Sequence, residues 1–255
     1  MEVEGESPLI LDLGTGLRFL GEHLAGPLRV SDSPLRGSVL LTHVHYDHVL
    51  GLPFFAPMRD PGAVLDIYGP SQGERPLAAV MEALVQPPFF PVRMIDLGGK
   101  LAFHDLFGAV DFSIGAITVK ARTISHVGHT YGFRIEAEGR AVAYVSDHQE
   151  PVDPGRIDDG VLELCRGADL VIHDAQYTDE EFQKLSDWGH STPSYAVRVA
   201  EASGARHLSL FHHDPSHTDK EIDEMLDSAR RMATHLPELE VSAAAEGASV
   251  ELGRA

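Results

Sequence analysis

Within the six residues His43-Val44-His45-Tyr46-Asp47-His48 the chain places three imidazoles and one carboxylate, directly after the apolar run Val39-Leu40-Leu41. Imidazole nitrogen and carboxylate oxygen are the donors that zinc and other borderline divalent cations take. The spacing adds geometry. His43 and His45 are two positions apart, so on an extended segment they leave the same face. Asp47 and His48 are neighbours and point differently. One pair can serve one cation and the other pair a second. A polar turn in a histidine-rich chain is the plain alternative, and four donor residues in six positions are too dense for it.

The donors need elements to hold them. Short apolar or alternating segments at 9–13, 39–41, 63–68, 117–123, 132–137, 141–146, 170–173 and 207–211 are bounded by Gly, Pro or Asp and read as strands. Gly139 fits a hairpin turn between two of them. Helices are expected at 76–85 and after three cap signals. Thr178 and Thr218 each open a capping box with a Glu three residues on, and Thr192 precedes Pro193. The last of these helices runs to about His235. Interleaved strands and helices around one core give an α/β domain.

Composition narrows the function. The chain has 255 residues, 43% of them hydrophobic, enough for a substantial core. No run of eighteen apolar residues exists, and the acidic start Met1-Glu2-Val3-Glu4-Gly5-Glu6 lacks the basic and apolar parts of a secretory signal. Cys165 is the only cysteine, so no intrachain disulfide can form, and it reads as a small core residue. The expected setting is cytoplasmic and reducing, with no membrane partner. The formal charge is −19, from 20 basic and 39 acidic residues. Grip on an extended nucleic acid needs many Lys and Arg against phosphates, which disfavours that partner. A small or short anionic substrate stays open, because bound cations reverse the local field.

His-x-His-x-Asp-His after a hydrophobic strand, with Asp12-Leu13-Gly14-Thr15-Gly16 upstream and Gly51-Leu52-Pro53 downstream, resembles the signature of the metallo-β-lactamase superfamily of metal-dependent hydrolases. The resemblance runs over most of the chain. It implies a four-layer αβ/βα sandwich in a single domain, 1–255, with two sheets face to face and helices outside. Few residues precede the Asp12 stretch, so either the start is misassigned or the N-terminal sheet is shortened.

The resemblance also implies a ligand set for two divalent cations, zinc first, with manganese or iron as alternatives. One cation takes His43, His45, His126 and Asp147. The other takes Asp47, His48, Asp147 and His212. Asp147 would bridge, and a hydroxide generated at the metals would attack the electrophile. Asp47 counts among the catalytic residues as well. His129 is a rival to His126, and His213 to His212. Asp12 is expected to orient a ligand from behind.

His173-Asp174-Ala175-Gln176 and Gly189-His190-Ser191-Thr192 stand in the order of the His-Glu-Ala-Thr and His-Ser-Thr segments of ribonuclease Z and related phosphodiesterases. The resemblance makes Asp174 the orienting carboxylate of His190, and His190 the general acid at the leaving oxygen. Asp in place of Glu shortens the reach, and Gln176 replaces Thr. No long Gly/Pro-rich insertion is present to serve as a tRNA-gripping arm. The expected function is therefore hydrolysis of a small or short, cyclic-nucleotide-like phosphodiester. Lactone or thioester hydrolysis on the same site, tRNA 3′ processing and a non-catalytic regulatory module are the competing readings. A homodimer is compatible with all of them. Trp188 is expected near the site. Phe54, Phe55, Phe89 and Phe90 are assigned to packing rather than to a substrate mouth, and His23 and His104 to the surface.

Overall fold

The computed structural model describes residues 1–25 and 33–253. They form two compact units, Met1–Phe107 and Gly108–Ala255, each with its own sheet and core.

In the first unit, β1 (Leu9–Leu11), β2 (Arg36–Leu40), β3 (Val64–Pro70) and β4 (Lys100–Leu106) form a parallel sheet in that order. Helices α1 (Leu17–Ala25), the single turn α2 (Tyr46–Val49) and α3 (Leu77–Leu84) connect them. Val39, Leu41, Leu65 and Ile67 are fully buried, as are Leu77 and Met81, four apart on the inner face of α3. Phe55 belongs to this core, whereas Phe54 and Phe89 are exposed. Strand β4 escapes the sequence pattern because it lies at the sheet edge, where most of its side chains are only half-buried. His104 on β4 is half-exposed, bonds Asp66 at 2.8 Å and stacks on Tyr68. β1 and β2 run side by side, so their C-terminal ends bring Asp12 beside Thr42 and His43.

In the second unit, β5 (Val110–Ile114), β6 (Ile117–Thr123), β7 (Tyr131–Ala137) and β8 (Arg140–Val145) are antiparallel. Helix α4 (Asp159–Cys165) then leads to β9 (Leu170–Asp174), which pairs in parallel with β8. Helices α5 (Asp179–Leu185) and α6 (Pro193–Ser203) precede β10 (His207–Phe211). Helix α7 (Asp219–Met232) precedes β11 (Glu240–Ala243). The sheet order is β11-β10-β9-β8-β7-β6-β5.

The expected punctuation is in place. Glu138 and Gly139, both at positive φ, turn the β7–β8 hairpin. Thr178 and Thr218 close their capping boxes, and Thr192 caps α6 with Pro193 in its first turn. Cys165 is fully buried. The short strands β5 and β11 were not foreseen. Among the described residues no helix is long and apolar enough to cross a membrane.

β8, β9 and β10 are adjacent and parallel, with Val145 opposite His173 and Phe211 opposite Asp174. β6 runs the same way, two antiparallel steps from β8. The loops after β6, β8, β9 and β10 therefore emerge at one edge, and those loops carry His126, Asp147, Gln176 and His212.

Candidate metal centre

In the first unit the motif leaves β2 as an extended segment and tightens into the turn α2. His43 Nε2 and His45 Nδ1 come within 2.9 Å, so the two side chains share a face as their spacing requires. Asp47 and His48 would diverge on an extended chain. The helical turn instead brings Asp47 Oδ2 within 3.1 Å of His48 Nε2. His43 and His48 are buried, while His45 and Asp47 face outward.

Asp12 organises this cluster from behind. Its carboxylate accepts from the Thr42 backbone N–H at 2.7 Å, from the Thr42 hydroxyl at 3.0 Å, and from His48 Nδ1 at 2.8 Å. A carboxylate only accepts, so His48 carries its proton on Nδ1 and its lone pair on Nε2. The Thr42 hydroxyl donates to Asp12 and so accepts from His43 Nδ1 at 3.0 Å, which sets the same tautomer in His43. Asp12 sits at φ +57°, a left-handed conformation that a short polar residue tolerates. The neighbouring Gly14 packs against the motif: a Cβ there would stand 2.5 Å from the Asp47 carbonyl oxygen. The backbone bonds Leu13 N–H to His48 O and Gly51 N–H to Leu13 O, both 2.8 Å, tie the two glycine-bearing flanks together.

In the second unit Asp147 lies between two histidines. Its Oδ2 is 3.6 Å from His126 Nε2 and its Oδ1 is 3.4 Å from His212 Nε2. Each imidazole bonds an acceptor through Nδ1. His126 donates to the Gly189 carbonyl at 2.7 Å, and His212 to Gln176 Oε1 at 2.8 Å. In the neutral tautomer that these bonds favour, both direct a lone pair toward a carboxylate oxygen, an arrangement that a cation between them would satisfy. His129 is exposed. His213 is kept neutral below the usual imidazole range, chiefly by burial and next by the neighbouring His217.

The donor set fits divalent cations. Ligands at zinc-like bond lengths in a tetrahedron stand about 3.3 Å apart. The four donor pairs within the units span 2.9 to 3.6 Å. Nitrogen and oxygen donors without thiolate do not select among zinc, manganese and iron.

Asp174 and His190 form the pair expected of them. His190 Nδ1 is 2.8 Å from Asp174 Oδ2, so the shorter carboxylate does reach. The His190 ring stacks on His212 at 5.1 Å and meets His126 edge-on at 5.2 Å, with Tyr177 edge-on behind it. Asp174, His190 and His212 offer donor atoms within 4.8 Å of one another. Asp174 does more than orient an imidazole. It also accepts the backbone N–H groups of His148, Gln176 and Ser191, and is fully buried. Trp188, by contrast, is 62% exposed.

Three residues escaped sequence reasoning. Thr42 was hidden by its ordinary place in a strand end, although it directly precedes His43. Gln176 was seen only as a departure from a family pattern. Gln149 clamps the loop before His190, donating to Ser186 O and accepting from Gly189 N–H, both at 2.7 Å. No local motif marks it.

Comparison with known proteins identifies the family and the fold. The family described as "Beta-lactamase superfamily domain" matches residues 10–213. The chain is 29% identical over 215 residues to Rv1339, an uncharacterized protein of Mycobacterium tuberculosis, covering 82% of this chain and 70% of that protein. It is 24% identical over 252 residues to ribonuclease Z of Brevibacillus brevis, covering 84% and 78%. Among solved structures, a diphosphatase from the PhnP family superposes with a TM-score of 0.65 at 20% identity, over 99% of this chain and 83% of that one. With a family match over most of its length, two sheets flanked by helices, and His/Asp clusters at the strand ends, the chain belongs to the metallo-β-lactamase superfamily of metal-dependent hydrolases.

Proposed function

We propose that the chain is a phosphodiesterase acting on a small or short phosphodiester, with the two His/Asp clusters serving one dinuclear centre. His43, His45, His126 and Asp147 would hold one cation, and Asp47, His48, Asp147 and His212 the other. Divalent cations held there would supply Lewis acidity and a water of lowered pKa. Zinc and a cytoplasmic setting belong to the same reading.

The observation that carries the proposal is the His190–Asp174 pair stacked against His212. Alkoxide is a poor leaving group and needs a proton. A thioester, which releases a thiolate, does not demand one so strongly. Protonated His190 would donate from Nε2 to the leaving oxygen and end as the Nδ1–H tautomer, still bonded to Asp174. Asp174 stabilises the protonated ring and fixes its orientation. The charge of −19 favours a substrate with few phosphates over a tRNA. Filter binding at physiological salt should give no submicromolar tRNA affinity.

The test is turnover of His190→Ala on two phosphodiesters, one with an alkyl and one with a nitrophenyl leaving group. Loss of about 10²–10⁴ is expected with the alkyl ester and clearly less with nitrophenolate, while metal content stays unchanged. Equal losses on both would remove the acid role. An emptied metal site would make His190 a ligand and overturn the assignment.

A further inference from the structure

We infer that Gln176 and Asp214 form a relay that fixes the tautomer of His212 and thereby sets the affinity of the cation His212 holds. Gln176 is a positioning residue in this chain, acting through an imidazole rather than on substrate. The inference rests on His212 being a ligand, as proposed above.

The geometry comes from two adjacent parallel strands. Gln176 follows β9 and His212 follows β10, with Asp174 opposite Phe211 and the Ala175 N–H bonded to the Phe211 carbonyl at 2.9 Å. That register sets the two side chains abreast. His212 takes φ +57°, a left-handed backbone position directly after β10. Its Nδ1 is 2.8 Å from Gln176 Oε1.

An amide offers both a donor and an acceptor, so which end faces His212 decides the chemistry. Asp214 answers that question. Gln176 Nε2 donates to Asp214 Oδ2 at 3.2 Å, an acceptor that could not face Oε1. The oxygen is therefore turned to His212, Nδ1 must carry the proton, and the lone pair lies on Nε2, 3.4 Å from Asp147. Asp214 is itself held by the Ser216 hydroxyl and backbone N–H at 2.7 and 2.8 Å. Gln176 is pinned by its own N–H on Asp174 Oδ1 at 3.0 Å. The chain of bonds thus runs Ser216, Asp214, Gln176, His212, each step with one permitted polarity.

The test uses full-length protein and competition against a chromogenic chelator with zinc alone. A long-range ¹H–¹⁵N spectrum of the metal-free protein reports the His212 tautomer. Gln176→Ala should weaken one of two zinc equivalents by about 10–100-fold and leave the other unchanged. Its His212 signal should shift toward the mixed tautomers of an unrestrained imidazole. The double variant Gln176→Glu/Asp214→Asn exchanges the carboxylate and the amide, which reverses the direction of the bond between positions 176 and 214 but keeps an acceptor facing His212 Nδ1 and keeps the net charge. It should restore zinc affinity to within a few-fold of wild type. Unchanged affinity and tautomer in Gln176→Ala, with His212→Ala losing one equivalent, would overturn the relay and leave the ligand assignment standing. Failure of the double variant to rescue would also overturn it. Retention of both equivalents by His212→Ala would overturn the assignment itself.

Discussion

Asp12 Oδ2 holds His48 Nδ1 at 2.8 Å from a left-handed backbone position at the end of β1. The carboxylate, not the histidine, decides which ring nitrogen of His48 can bind a cation. Asp12→Asn keeps the side-chain shape and the tolerance for φ +57° but presents an N–H where an acceptor is required. Metal affinity should fall by about 10–100-fold for one equivalent, read by chelator competition, with little change in melting temperature. Unchanged affinity would show that Asp12 only shapes the turn.

Asp147 presents one oxygen to His126 and the other to His212. Wild-type protein loaded with zinc should carry two equivalents by elemental analysis, and Asp147→Ala should bind both more weakly. Loss of a single equivalent would make Asp147 a terminal ligand rather than a bridge.

Gly189→Ala tests the contact between the His190 loop and the candidate ligand His126. Gly189 has φ +98°, and an added Cβ would stand 2.5 Å from His126 Nδ1. Zinc affinity should drop at least tenfold for one equivalent. Gly204→Ala is the control, since Gly204 also has positive φ but has nothing within 4 Å. It should cost about 1 kcal/mol of stability and leave zinc binding intact. Equal zinc affinity in both variants would mean that His126 does not depend on the loop.

How much of this was legible follows from where each signal resides. The candidate ligands come in a short motif or directly after strands, so the apolar runs pointed at His43, His126, Asp147 and His212. Two capping boxes and the Thr192-Pro193 cap declared three helices because each cap and its partner lie within four residues. The missing parts are non-local. Strand β4 is half-exposed at an edge, and no alternation survives in Lys100-Leu101-Ala102-Phe103. Gln176 and Gln149 act across 36 and 40 residues of sequence, through registers that pattern alone does not reveal. The four donors on Asp174 needed the parallel pairing of β9 before they could be counted.

Burial pushes the Cys165 thiol up to about 12 from an ordinary 9.0. The folded thiol therefore keeps its proton where the unfolded one loses it. Its contribution to stability is complete below pH 9 and is lost as pH rises toward 12, at no more than about 1.4 kcal/mol per pH unit. Urea unfolding at pH 8 to 10 should decline less steeply for Cys165→Ala than for wild type. A thiol reagent at pH 8 should find no reactive group in native protein and one after denaturation. Rapid labelling of the native form would contradict this burial.

The carbonyl of Gly189 that accepts from His126 belongs to the peptide joining Gly189 to His190. One amide plane thus carries the support of the candidate ligand His126 at one end and the backbone of the proposed acid His190 at the other. A swing of this loop to admit a bulkier substrate would tilt both together. Substrate range and metal retention are therefore expected to trade against each other when the chain diversifies, and a gain in breadth should arrive with leakier zinc unless the segment around Gln149 is rebuilt to hold the plane in place.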